Sequence, residues 1–338
     1  GLHHLNNPRV TPFTDNWAQV FVLGYKGLYP SDEFVDLVKQ YKIGGVIIFS
    51  ENIEDSRQLR EVILDLQSIS PIPLFVMIDQ EGGKTNRITK DFPTFPSNSF
   101  FGQRKDEKGV EQAYSITARE LRNLGINANL APVVDVLTNP QNELLKERSF
   151  GNDAKLVARF TKVAVQAIRS QGVFSCAKHF PGLGNAALDP HKELSIDQNE
   201  KTKFEQINFI PFKSAIKTGV EMIMTTHILC EKLEPTFPAT LSETICRDIL
   251  KKELGFDGLV ITDDMGMGGI TRNWDINFAC KKAFLAGHDL ILVAKRWEKQ
   301  KEILESFEKG IKDGETKKGK VKSSVDRILK LKKRLKNG

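Results

Sequence analysis

Acidic and basic residues recur in this sequence at the ends of short apolar runs, where burying them without a use is costly. Asp79-Gln80-Glu81-Gly82-Gly83 closes one such run, Asp135 a second, Lys178-His179 a third, Thr226-His227 a fourth and Asp263-Asp264 a fifth. A single aspartate of this kind reads as readily as a satisfied structural group. Five such endings on one rim would instead make a cleft of carboxylates, a lysine and histidines, suited to a hydroxyl-rich ligand and to acid/base or nucleophilic chemistry. Two chemistries fit. Lys178, with a depressed pKa, would form a Schiff base as in an aldolase-type lyase. A carboxylate nucleophile with a separate proton donor would instead cleave a glycosidic bond. The loop after Lys178 adds Asp189-Pro190-His191. Residues two apart emerge on the same side of an extended chain, and a carboxylate beside an imidazole fixes its tautomer and raises its basicity. By itself, Asp-x-His also occurs in ordinary surface loops.

The elements that must position these groups alternate along the chain. Strands are expected over residues 18–23, 45–49, 74–79, 128–135, 174–179, 222–227, 259–263 and 290–294, each brief and rich in Val, Ile, Leu or Phe. Such runs suit strands buried on both faces of a parallel sheet. Amphipathic helical patterns fall between them, at 32–41, 57–67, 110–124, 156–171, 204–218, 242–254 and 276–286, with a closing helix at 325–335. Ser31 and Ser242 are plausible helix starts. Gly125, Gly172, Gly219, Gly255 and Gly287 fall just past helix ends, where a left-handed residue is wanted. Eight strands alternating with helices is the count of a single (β/α)8 TIM-type barrel, whose function sits at the C-terminal strand ends. An open doubly wound sheet is the competing architecture. Its glycine-rich phosphate turn is missing, since the first strand leads into Leu23-Gly24-Tyr25-Lys26-Gly27 without GxGxxG spacing.

The chain has 338 residues, 40% hydrophobic and 27% charged, which excludes collagen-like, coiled-coil and wholly disordered classes. Length alone is compatible with two domains or with one α/β barrel. No linker rich in Pro, Gly or Ser separates domains, so one barrel domain is expected over residues 1–338. The net charge of +6 is uneven, with sixteen Lys+Arg against seven Asp+Glu over residues 295–338. That segment is expected to be a solvated helical face packed on or trailing from the barrel, and the body carries no basic stripe for nucleic acid. Cys176, Cys230, Cys246 and Cys280 lie far apart with no CxxC pair, so they read as scattered reduced thiols and not as a zinc site. No apolar run reaches membrane-spanning length. Residues 1–8 lack signal-peptide blocks. The expectation is a cytoplasmic protein, although a start at Gly1 leaves room for a removed export signal or lipid anchor.

Taken in order, Asp79-Gln80-Glu81-Gly82-Gly83, Lys178-His179-Phe180-Pro181-Gly182, Asp189-Pro190-His191 and Ile261-Thr262-Asp263-Asp264-Met265 resemble glycoside hydrolase family 3, in particular its single-domain β-N-acetylglucosaminidases. Glu147-Arg148-Ser149-Phe150-Gly151 and Pro238-Ala239-Thr240-Leu241-Ser242 extend the resemblance along the chain. It implies a retaining hydrolase with Asp263 as nucleophile, Asp264 as structural neighbour, and His191 paired with Asp189 as acid/base on a mobile loop. Substrate binding carries over to Asp79, Arg148, Lys178 and His179, with Arg87 a weaker member and His227 and Met267 near the pocket. Lys178 is expected to help hold the Asp263 pKa low. No metal or organic cofactor is implied. The partner is a carbohydrate, terminal β-linked GlcNAc from peptidoglycan fragments, taken by a monomer.

Alternatives within the family are a β-glucosidase, a phosphorylase or a transglycosylase. Two-domain β-glucosidases of the family take their acid/base from elsewhere, often from a second domain that this chain is expected not to contain. A sugar-binding or sensory barrel without turnover is the alternative of another class. It is motivated by Leu183 and Asn185, which stand where the family usually has His and Asp. Lys84 replaces a usual Arg, and Pro190 a usual Ser or Thr. Pro190 fixes its own φ and restricts Asp189, so a different resting shape is expected for the loop.

Overall fold

A computed structural model describes residues 16–337. The stretch 1–8 considered above lies outside the described residues. The strands are β1 (Phe21–Leu23), β2 (Gly45–Ile48), β3 (Phe75–Ile78), β4 (Ala128–Asn129), β5 (Cys176–Phe180), β6 (Ala187–Asp189), β7 (Leu194–Asp197), β8 (Met222–Thr225), β9 (Ile228–Cys230), β10 (Leu259–Thr262) and β11 (Ile291–Val293). Eight of them lie side by side in the orders β11-β1-β2-β3-β4 and β10-β8-β5, all parallel. Parallel bridges join the two sheets at both edges, Ala128 to Phe174 and Ile261 to Leu290. The result is the expected (β/α)8 ring. Every residue of β1, β2, β3, β8 and β10 is buried, because helices cover the outer face and the ring encloses the inner one.

The helices follow from caps and spacing. Asp55 accepts the Gln58 N–H at the start of Ser56–Ile69, and that helix buries Leu59, Val62, Ile63 and Leu66. Asp153 caps Ala154–Ser170, which buries Val157, Phe160, Ala164, Val165 and Ile168. Both sets have the 3–4 residue spacing of one helix face. Glycines past helix ends take left-handed φ, 90° at Gly125 and 92° at Gly219. The closing helix Lys318–Lys332 buries Val321, Val325 and Ile328. It begins earlier than expected and passes into a 3-10 turn, Lys333–Asn337.

Three expectations need correction. Residues 18–20 of the first expected strand belong to a 3-10 turn (Trp17–Val20). That turn places the Gln19 amide beneath the barrel, donating to the Lys42 and Ile43 carbonyls, while its Oε1 accepts from buried Lys332 at 2.7 Å. The expected strand 128–135 keeps only Ala128–Asn129 in the ladder. Pro132 supplies no N–H, and pairing resumes as a single bridge from Val133 to Lys178. Finally, the loop after β5 contains a satellite sheet. β6 and β7 form an antiparallel hairpin, and β7 pairs in parallel with β9 through Ser195↔Ile228, Ile196↔Leu229 and Asp197↔Cys230. Because β9 follows Thr226-His227 directly, this pairing fixes the Asp189-Pro190-His191 loop beside the rim.

Gly184 sets how closely that loop lies on the barrel, for a Cβ there would be driven into the Val136 backbone carbonyl. Neither backbone can yield cheaply, so Gly184→Ala is expected to lower stability by about 1–3 kcal/mol. Chemical denaturation of both proteins measures this, and unchanged stability would show that the two segments are not held in contact.

Candidate active site

A cavity of about 700 Å³ opens at the C-terminal ends of the strands. Its inner wall is an ion network drawn from three consecutive strand ends. Lys178 Nζ lies 2.9 Å from Asp79 Oδ1 and 2.7 Å from Glu81 Oε2, with the lysine side chain only 2% exposed. Arg148 donates to both oxygens of Glu81 at 2.9 Å, a bidentate geometry that fixes both planes. Arg87 donates to Asp79 Oδ2 at 3.3 Å, and its guanidinium lies over the Phe49 ring. Burial disfavours the charges of Glu81, Lys178 and Arg148, but the opposite charges prevail. Glu81 is pulled down to about 2 by Lys178 and Arg148. Lys178 is held above the usual lysine range by Asp79 and Glu81. An ionised lysine so engaged is a poor Schiff-base nucleophile.

β5 shifts register against β8 between Lys178 and Phe180. Strict alternation would send adjacent residues to opposite faces; here Lys178 and His179 both line the cleft. The His179 ring is held through Nδ1 by buried Asp135 at 2.8 Å. The other Asp135 oxygen accepts the backbone N–H groups of His179 and Leu183. Leu183 thus keeps the loop attached through its backbone, whatever its side chain. Asn185 donates to Asp197 at 3.1 Å and faces the Thr138 hydroxyl at 3.3 Å.

Asp263 lies across the cleft at the end of β10. Thr226 Oγ1 donates to its Oδ2 at 3.0 Å and the Asp264 N–H to its Oδ1 at 2.8 Å. Burial would raise its pKa, but the imidazoles of His227 and His179 and these two hydrogen bonds hold it below the usual aspartate range. Lys178, from which the same effect was expected, is paired directly with Asp79 and Glu81. Asp264 is engaged with the backbone of neighbouring segments. Its Oδ1 accepts from the Gly266 and Ala294 N–H groups and its carbonyl from His227 Nε2 at 2.7 Å. Burial and the neighbouring Asp263 charge raise its pKa.

Asp79, Arg87, Arg148, Lys178, His179 and Asp263 all line the one cavity, and so do His227 and Met267. Asp189 and His191 do not. His191 is exposed at the tip of the β6–β7 hairpin, and Asp189 Oδ1 accepts its backbone N–H at 2.9 Å. The expected same-side pairing in an extended stretch is not formed, because β6 ends at Asp189 and the chain turns at Pro190, closing an Asx turn. The tip nevertheless reaches the cleft, for Glu193 and Ser195 line it. Sequence reasoning gave no role to Glu81, Asp135 or Thr240, whose hydroxyl lies 2.9 Å from His227 Nδ1. Glu81 and Asp135 stood at strand ends and so carried a signal. Thr240 stood only within Pro238-Ala239-Thr240-Leu241-Ser242, a stretch that resembles the family without pointing to a role for its hydroxyl.

Residues 9–331 match the family model described as the glycosyl hydrolase family 3 N terminal domain. Beta-hexosaminidase A of Pseudoalteromonas piscicida is 34% identical over 333 residues, covering 90% of this chain and 55% of that protein. A beta-hexosaminidase of Nitrosomonas eutropha is 30% identical over 272 residues, covering 79% of this chain and 78% of that one. A family 3 β-N-acetylglucosaminidase structure from Paenibacillus sp. str. FPU-7 superposes with a TM-score of 0.92 at 35% identity, covering 96% of this chain and 62% of that one. NagZ from Neisseria gonorrhoeae, solved in complex with N-trifluoroacetyl-D-glucosamine, superposes with a TM-score of 0.79 at 25% identity over 90% of this chain and 89% of that one. The chain therefore spans little more than half the length of the Pseudoalteromonas relative and most of the length of the Nitrosomonas one. With the family model matched along nearly its whole length, over a barrel whose rim gathers these charged strand ends, the chain belongs to glycosyl hydrolase family 3.

Proposed function

We propose that the chain is a retaining exo-β-N-acetylglucosaminidase that removes terminal β-linked GlcNAc, with peptidoglycan-derived fragments as its natural substrates. The observation that carries the reading is Asp263. It is a half-buried carboxylate held below the usual aspartate range by Thr226, the Asp264 N–H and two imidazoles, facing a wall of Asp79, Lys178, Arg148 and His179. Asp79 accepts from sugar hydroxyls, while Lys178 and Arg148 donate to hydroxyl or acetamido oxygens. Asp263 attacks the anomeric carbon as His191, as imidazolium, gives its proton to the leaving oxygen. The same imidazole, now neutral, takes a proton from the water that releases the glycosyl group from Asp263. Asp189 steadies the imidazolium once the ring turns toward it. Beta-hexosaminidases among the relatives and β-N-acetylglucosaminidase structures among the neighbours support this sugar.

Chromogenic β-glycosides of GlcNAc and glucose, offered side by side, test the sugar; preference for the glucoside would move the chain to the β-glucosidase alternative. Asp263→Ala is expected to lower turnover on the order of 10³-fold or more, and near-normal rates would remove the nucleophile. His191→Ala should lose on the order of 10²-fold on a GlcNAc disaccharide, as general acid/base removal does, and much less on an activated aryl glycoside that needs little proton assistance. An equal loss on both would take the acid role from His191. A hydrogen bond to an ionised carboxylate lowers its pKa, so in Thr226→Val the Asp263 pKa rises. The acid limb of kcat/KM, followed on the aryl glycoside, should move to higher pH, and an unmoved limb would mean that another group sets it.

A further inference from the structure

The hairpin that carries His191 is fixed at two places. At its base, β7 is paired with β9. At its tip, Glu193 takes φ 54°, a left-handed conformation that glutamate seldom adopts. Its carboxylate meets the Arg272 guanidinium at 2.9 Å. One residue earlier, the Lys192 carbonyl accepts from Asn273 Nδ2 at 2.9 Å, and the same amide donates to the Gly269 carbonyl at 3.0 Å. Gly268 leaves the space that the Glu193 carboxylate fills, since a Cβ there would be driven into it. The receiving segment is itself held, as Arg296 donates to the Gly266 carbonyl and to the Thr271 hydroxyl, each at 3.1 Å. All of these receivers lie just after Asp263.

We propose that Arg272, Asn273 and Gly268, acting on Lys192–Glu193, form a latch that fixes the pivot from which His191 is delivered over the nucleophile. The proposal rests on His191 being the proton donor. Glu193 lines the cleft while His191, two residues before it, stands outside. With Lys192 and Glu193 fixed, only Pro190 and His191 have to rearrange to bring the imidazole in. Without that anchor the whole tip swings, and the positional advantage of an intramolecular proton donor is diluted. Arg272 and Glu193 are both largely solvated, with side chains 65% and 41% exposed, and an exposed ion pair by itself contributes little. The latch therefore depends on the three contacts together, and its loss alters delivery without unfolding the barrel. Arg272, Asn273 and Gly268 are positioning residues and touch no reacting atom.

The test compares the full chain with Arg272→Ala, Asn273→Ala and Gly268→Ala on an aryl β-GlcNAc glycoside and on a β-linked GlcNAc disaccharide. The expected result is a kcat loss of roughly 5- to 10-fold on the disaccharide, with the aryl glycoside within about twofold and KM unchanged on both. Arg272→Lys should recover most of the loss. Equal losses on both substrates, as partial misfolding would give, or no loss on either, overturns the latch. A second reading needs no turnover. Amide hydrogen exchange across residues 187–194 should be faster in Arg272→Ala than in the parent, and unchanged exchange overturns the proposal. A parent chain that turns over no GlcNAc β-glycoside ends the proposed function, and with it the role given to His191, while exchange still decides whether the tip is pinned.

Discussion

An ammonium with almost no access to water is the constraint around which this cleft is organised. Lys178 cannot be buried alone, and it cannot be neutralised by one carboxylate without a geometry that satisfies its remaining protons. Asp79 and Glu81 supply that geometry from the end of β3, Arg148 balances the second carboxylate, and Arg87 balances the first. Removing one member would leave the charges it meets less fully compensated in a site with little access to water, which is destabilising. Three loops that share little sequence signal are thereby brought into one arrangement. The side chains of this wall hold one another in place, which spares the reorganisation that weakens a looser site.

The opposite wall is built on another logic. Among the described residues Asp263 has no lysine or arginine on it; its pKa is held down by two hydrogen bonds and by imidazoles at a remove. A carboxylate tied to a fixed cation would lose nucleophilicity and would have to break that pair to attack. The cations of this cleft are thus gathered on the wall opposite Asp263. The adjacent Asp264 carries the structural burden by tying β10 to Ala294 and His227. Adjacent aspartates do different work because their partners differ.

Much of the architecture could be read from residue order, because buried parallel strands are short apolar runs and their helices keep a 3–4 residue period. The helix expected over 276–286 has the same bounds in the structure, and the capping serine at position 31 accepts the Phe34 N–H as expected. Reading failed where the backbone departs from period. Pro132 interrupts β4, and the turn at residues 17–20 serves Gln19 instead of the sheet. In the site, polarity at strand ends found the cleft residues, since each is expensive to bury. It could not show that Lys178 is committed to Asp79 and Glu81, or that the Asp189 carboxylate meets the His191 backbone in place of its ring. Those facts depend on distances between segments and on the direction a turn takes after Pro190. The Glu193–Arg272 contact spans the hairpin and the segment after β10, and no local pattern announces it.

The four cysteines, unremarkable as sequence, lie wholly within the packed interior. Burial lifts Cys176 and Cys246 to about 12 and moves Cys230 and Cys280 upward as well. Electrophiles react with thiolate, and these groups supply almost none near neutrality. The molecule therefore presents a surface that is chemically silent toward maleimides. A sulfur engineered onto the hairpin tip would be the sole thiol on that surface, so a spectroscopic label placed there would report on the tip alone.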